Sequence, residues 1–276
     1  MLISDEFREI IKKLSDKFPI PKISQIFFPH YSESKPSKKE KFMAMGLESG
    51  AVGLSYTLMP EQHEEEYSNL KETEFIGQIP VDIALEFGRS KDPIINMLGL
   101  AAINSISQHI LKITKYNLDF TTNSLGLFSI SKADHVGMVG LFNPLLPIIE
   151  QSGAELIVIE KKEKLIKRFP ELNITLDPRE LRHCNKILCT AATILNNTLD
   201  EVISNCPDNA KVSVIGPTAG FLPDPLFRRK IDVLGGTFID NDAQFFKNLR
   251  QKKRWGLTTK KYCFQRKNYQ GFQSML

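Results

Sequence analysis

Residues 133–160 read ADHVGMVGLFNPLLPIIEQSGAELIVIE, and this stretch decides the fold class. His135–Gly140 is a short apolar run of the kind that forms a buried strand. Asn143-Pro144 then opens a helix to about Ser152, since Pro fits a first helical position whose N–H has no partner anyway. Glu155–Glu160 follows as a second apolar strand. A strand, a crossover helix and a strand make a parallel pair. The pattern recurs downstream. Asp177-Pro178, with Glu180 in capping-box position, predicts a helix, and Lys186–Thr190 a strand. Thr198-Leu199-Asp200-Glu201 reads as a capping box and Lys211–Gly216 as the next strand. Asp224-Pro225 predicts another helix start, Val233–Ile239 a last parallel strand, and Asn241 the cap of a helix to about Arg250. Strands and helices joined by short connections predict an α/β class: a Rossmann-like, doubly wound parallel sheet.

The pattern upstream is different. Ile3, Phe7, Ile10, Ile11 and Leu14 recur at helical spacing. Three extended stretches follow, at Ile23–Phe28, Lys41–Glu48 and Ala51–Leu58, the last two joined by a tight turn in which Gly50 supplies a positive φ. A solvated loop at 32–41 and an acidic stretch at 61–74 lie around them. Asp92-Pro93 caps a helix to about Lys112, apolar nearly all round and therefore expected to be buried. The expected organisation is an α+β domain over 1–115, a linker over 116–132 where Asn, Thr, Ser and Gly accumulate, a Rossmann-like domain over 133–250, and a basic strand or tail over 251–276.

Composition narrows the function classes. The 276 residues are 42% hydrophobic and 25% charged, ordinary values for a globular chain with a core of its own. The net charge of +4 is unevenly placed. Residues 243–276 hold nine Lys and Arg and no acid, leaving 27 cations against 32 anions, or −5, over 1–242. A body of that sign does not fit a nucleic-acid binder over its whole surface. In the tail, Lys252-Lys253-Arg254-Trp255 and Lys260–Tyr269 interleave cations with aromatics. Such a composition suits nucleic acid or an anionic membrane face, while the plainer reading is a final strand at Lys260–Gln265 and a loose terminus. No apolar run reaches the ~18 residues that span a bilayer, and the four cysteines form no CxxC. Cytoplasmic localisation and no membrane partner are the expectations, together with a homodimer.

In an open α/β sheet, ligands bind beyond the carboxyl ends of the strands. The candidates there are Gly137, Gly140 and Phe142 after the first strand, Glu160 after the second, Thr190, Asn196 and Thr198 after the third, and Gly216, Pro217 and Thr218 after the fourth. Glycines admit backbone to a ligand or to close packing, and helix N-termini favour anions. The spacing is GxxG, without GxGxxG, so a nicotinamide dinucleotide is not the expected cofactor despite Glu160 at a ribose-binding distance in sequence. His183, Cys184 and Cys189 are close in sequence but fall on different elements. His109, in the long helix, reads as a core or surface histidine. No serine-hydrolase, phosphate-loop, zinc-protease or calcium-loop motif occurs.

Leu98–Asn104, Val136–Phe142, Asn196–Asp200, Gly216–Thr218 and Ile231–Thr237 together, in this order, resemble the family named "putative heavy-metal chelation", or domain of unknown function 364. The resemblance covers about residues 40–250. It implies an enolase N-terminal-like α+β domain packed on a Rossmann-like domain, with a candidate site in the cleft between them. It adds Asn104 to the ligand-binding candidates, and makes a transition metal or metal chelate the implied ligand. This chain departs from the family pattern at Ala219-Gly220, at Lys161-Lys162 and at Ala191, all on the proposed ligand side. Two functions follow as expectations: a small-molecule, metal or metal-chelate binding protein using the interdomain cleft, or an enzyme acting on a small anionic or nucleotide-like ligand at the sheet's switch point. Catalytic residues and metal ligands are not specified by the residues.

Overall fold

The structure is a computed structural model, and it describes residues 1–30, 41–57, 59–120 and 128–276. Residues 32–40 of the loop expected at 32–41, the end of the third strand at Leu58, and residues 121–127 of the expected linker lie outside the described residues.

Helix α1 (Ile3–Lys17) buries Ile3, Phe7, Ile10, Ile11 and Leu14, the face its spacing predicts. Strands β1 (Ile23–Phe27), β2 (Phe42–Leu47) and β3 (Val52–Tyr56) form an antiparallel sheet in that order. The β2–β3 turn places Gly50 at φ +74°, as expected. Short helices α2 (Glu64–Ser68) and α3 (Pro80–Leu85) lead to α4 (Pro93–Ile113). The Asp92 carboxylate caps α4, accepting from the Ile94 and Ile95 N–H groups. By length and hydropathy α4 would suit a bilayer, contrary to the sequence expectation, yet nearly all of it is buried inside the protein. Protein lies on several sides of it. The three-stranded sheet covers one face, and Gly53 makes this possible: a Cβ there would stand 2.2 Å from the Ala101 carbonyl oxygen and 2.3 Å from the Ser105 nitrogen.

The second half contributes β4 (His135–Val139), α5 (Leu146–Ser152), β5 (Glu155–Ile159), α6 (Lys164–Arg168), β6 (Ile174–Thr175), β7 (Lys186–Thr190), α7 (Ala192–Leu195), α8 (Leu199–Ser204), β8 (Lys211–Ile215), α9 (Asp224–Phe227), β9 (Val233–Ile239), α10 (Asp242–Arg250) and β10 (Thr259–Gln265). The sheet order is β10-β9-β8-β7-β4-β5-β6, parallel except for the antiparallel pair β9–β10. The order reverses between β4 and β7, which sets the switch point.

Several predicted helix starts differ in detail. Asp177 and Asn241 cap as expected, but Asp177 opens a 3-10 turn over Pro178–His183. Asn143-Pro144 likewise begins a 3-10 turn ahead of α5. Asp224 lies inside α9, and its carboxylate accepts from the Tyr269 hydroxyl (2.7 Å) and the Phe272 N–H (3.0 Å). These bonds tie down the chain end, with Phe272 2% exposed, so the terminus is docked and not loose.

One apolar core runs from α1 through α4 to β7, β8 and Tyr262. A second joins the outer face of the small sheet (Phe27, Ala44, Val52, Leu54) to Phe245, Phe246 and Leu249 of α10. The small sheet is thus held between α4 and α10. Polar contacts reinforce the packing: buried Glu6 of α1 pairs with Arg228 (2.7 Å) and Arg229 (2.5 Å), and Arg229 also reaches Asp200 (2.8 Å).

Candidate functional site

Four sequence candidates line the carboxyl edge of adjoining strands. Gly140, just past β4, has φ +82°, and a Cβ there would stand 2.9 Å from Thr190 Cγ2. Both its backbone and the neighbouring methyl therefore favour glycine. Glu160, just past β5, turns back on that loop: its carboxylate accepts from the Leu141 N–H (2.8 Å) and the Lys161 N–H (3.2 Å). Thr190 ends β7, and its hydroxyl oxygen accepts from the Ala192 N–H at 3.3 Å. Gly216 follows β8 at φ +133°, donates its N–H to the Gly235 carbonyl, and faces open space on its Cβ side.

Pro217 and Thr218 carry the chain from this edge into the joint between the two sheets. Thr218 is 2% exposed, and its hydroxyl oxygen accepts from the Tyr56 N–H at the end of β3 (3.1 Å). Asn104 of α4 spends both amide hydrogens there, on the Leu54 carbonyl (2.6 Å) and the Thr218 carbonyl (2.8 Å). One turn on, Gln108 donates to the Gly220 carbonyl (2.7 Å) and the Tyr262 hydroxyl (2.8 Å), while Tyr262 donates to the Ala219 carbonyl (3.3 Å). Carbonyls accept only, so the orientation of both amides is fixed. Their oxygens, Asn104 Oδ1 and Gln108 Oε1, are buried without a partner among the described residues. The loop after β8 is thus clamped by α4, β3 and β10.

Tyr56 is the residue that the sequence reading missed. It extends from the small sheet, its ring edge-on to Phe42 at 5.5 Å, and is half-buried. Burial and the nearby Glu160 carboxylate both push its hydroxyl pKa up. Nothing in the sequence marks a strand-end residue of the small sheet as bonded to Thr218, 162 positions away.

The other candidates sit elsewhere. Gly137 is buried in mid-strand, where a Cβ would stand 2.6 Å from Leu181 Cδ2 and 3.2 Å from Cys184 Sγ. Phe142 is half-buried, its N–H directed at Met138 Sδ (3.3 Å). Thr198 does not cap α8; its hydroxyl donates to Asn196 Oδ1 at 2.5 Å. Asn197 stands at φ +55° between them, and that tight turn sets the nearer carboxamide oxygen in competition with the helix N–H groups.

Metal-binding side chains are dispersed. Among the described residues no three His, Cys, Asp or Glu converge. Burial pushes the thiols of Cys184, Cys189 and Cys206 up to about 11, about 12 and about 12, so they are protonated at neutral pH. His109 bonds Ser49 Oγ (3.0 Å) and the Pro19 carbonyl (3.2 Å), and His135 faces Glu155 (3.2 Å).

A family model described as "Putative heavy-metal chelation", domain of unknown function 364, matches residues 123–268. A second with the same description, domain of unknown function 4213, matches residues 40–107. An uncharacterized protein of Methanocaldococcus jannaschii is 27% identical over 175 residues, 63% of this chain; the chain spans 64% of that relative's length. A crystal structure of a protein of unknown function from the first family, from Pyrococcus horikoshii, is similar with TM-score 0.68 and 19% identity, covering 96% of this chain and all of that one. Another, from Desulfitobacterium hafniense, gives TM-score 0.65 and 17% identity, covering 95% and 98%. Both are likenesses of fold. With more than half of its length matched, the chain belongs to the domain of unknown function 364 family.

Proposed function

We propose that the protein binds a small, oxygen-rich ligand, a metal chelate or a metal ion within an oxygen shell, in the cleft between the three-stranded sheet and the carboxyl edge of the seven-stranded sheet. The observation that carries this reading is the junction of the two sheets beside the edge that Gly216 leaves open, where the Thr218 hydroxyl accepts from the Tyr56 N–H at 3.1 Å. In this reading Gly140, Thr190, Gly216 and Pro217 offer close backbone approach, Glu160 and Tyr56 the polar contacts, and Asn104 with Thr218 the wall that fixes them.

The donor chemistry selects the ligand class. Protonated, buried thiols do not serve a soft ion, whereas carboxylate, hydroxyl and backbone groups suit hard cations or a metal already held by a chelator. The family description points in the same direction. The test is native mass spectrometry and elemental analysis of protein purified without added ligand. Titration calorimetry with free Mn(II), Ni(II) and Zn(II) and with their citrate complexes follows. Chelate binding is expected to weaken about tenfold in Glu160→Gln and in Tyr56→Phe, the loss of one hydrogen bond to a charged group. No bound mass and no heat with any probe, or equal affinity in both variants, refutes the reading.

A further inference from the structure

We propose that the loop after α10 docks the protein on an anionic lipid surface, with Leu257 entering the acyl boundary inside a collar of cations. The loop runs Gln251-Lys252-Lys253-Arg254-Trp255-Gly256-Leu257. Lys247, Lys252, Lys253 and Arg254 are all exposed, and none has a carboxylate within ion-pairing reach among the described residues. Leu257 is 103% exposed at the apex of a 3-10 turn over Gly256–Thr258.

The turn is packed onto α10 and the small sheet. The Trp255 ring meets Phe245 edge-on at 5.5 Å and Phe42 at 6.4 Å, and the Thr258 N–H and hydroxyl both donate to the Trp255 carbonyl. Phe42 follows exposed Lys41, which adds a fifth cation at the same end. The charge distribution orients the molecule, because residues 1–242 sum to −5 and an anionic surface repels them.

Lipid is the occupant that the chemistry favours over nucleic acid. Single strands are held by aromatic faces on which bases stack, and the Trp255 ring is already engaged by Phe245 and Phe42. What the loop presents is an aliphatic side chain, which gains from acyl chains and gains nothing from a base. The lack of a spanning run is no obstacle, since surface attachment needs only buried apolar area and a polybasic patch. The proposal does not depend on the cleft reading.

The test is co-sedimentation of the full chain with phosphatidylcholine vesicles containing either no phosphatidylserine or roughly a third of it, at low and at physiological salt. Trp255 is the sole tryptophan and sits two residues from the apex, so quenching by brominated lipid reports the contact directly. Binding is expected only to the anionic vesicles, with quenching, and weakening with salt. Each cation near the surface is worth about 1 kcal/mol, a fivefold factor, so K252Q/K253Q/R254Q lowers partitioning roughly a hundredfold. L257S lowers it about tenfold, the worth of a buried leucine. Melting curves within a few degrees of wild type certify the folded state of both variants, which lie outside the core. Equal binding to both vesicle types, no binding at low salt, partitioning unchanged in either variant, or association with a single-stranded oligonucleotide that displaces the vesicles would each overturn the proposal.

Discussion

Replacing Asn104 by alanine probes the joint between the two sheets. The wild-type carboxamide gives one hydrogen to the Leu54 carbonyl and one to the Thr218 carbonyl, at zero exposure. Removal strands two buried acceptors, each costing about 1–3 kcal/mol, while it also removes the unpartnered Oδ1, which offsets part of that. The expected net loss is about 2–4 kcal/mol. At about 2–4 °C per kcal/mol for a chain of this size, the melting midpoint falls by roughly 4–16 °C. Asn104→Asp is a sharper probe because its shape is unchanged. A carboxylate has no hydrogen to give and would face two carbonyls, so burial raises its pKa in the folded state. A group with a raised folded pKa stabilises below its unfolded value, near 4, and loses that stability as pH rises through the folded value. The deficit of Asn104→Asp relative to wild type is therefore small near pH 4 and grows toward pH 8. Urea titrations followed by circular dichroism at both pH values measure it. A loss below about 0.5 kcal/mol for Asn104→Ala, or a pH-independent deficit for Asn104→Asp, refutes the clamp.

Further outcomes follow from the same geometry. Glu6→Gln removes the buried carboxylate between Arg228 and Arg229 and is expected to cost about 1–2 kcal/mol in urea titration, because Arg229 keeps Asp200 and Arg228 is half exposed. Gly53→Ala drives a Cβ into α4 backbone and is expected to cost 3 kcal/mol or more, about the upper range for overpacking, whereas Gly216→Ala meets open space and costs only about 1 kcal/mol of backbone strain; thermal melts separate them. Acid stability declines in two stages. Burial lowers the pKa of His109, so the unfolded chain takes up its proton first and stability falls as pH drops below about 6.5. Asp134, held at about 2 by Lys186 and Ser131, contributes stability above about pH 4 that is lost as pH falls toward 2. His109→Gln is expected to remove the first stage alone in a pH series of melts.

Part of the candidate site was legible in the residues. Gly140, Glu160, Thr190 and Gly216 fall along one sheet edge because strand ends are marked locally, by an apolar run stopping at a glycine or polar residue. Their bonding was not legible. Glu160 faces its neighbour Leu141, not open solvent, because β5 lies beside β4 in parallel register and brings those two loops together. Tyr56 and Thr218, 162 positions apart, are joined by a hydrogen bond that no local pattern encodes.

The sequence by itself determined the elements. Helix starts at Asp92, Asp177 and Asn241, the buried stripe of α1, and the alternation of strands and helices all arise from interactions spanning a few residues, and a sequence states those directly. Only tertiary structure decided how polar groups spend their bonds. Asp224 looked like a cap and instead anchors the chain end; Thr198 looked like a cap and bonds Asn196; Asn104 and Gln108, an oddity within an apolar helix, clamp a loop more than a hundred residues away. A buried polar group takes whichever partner packing brings within about 3 Å, and that choice is fixed only once the whole chain has closed around it.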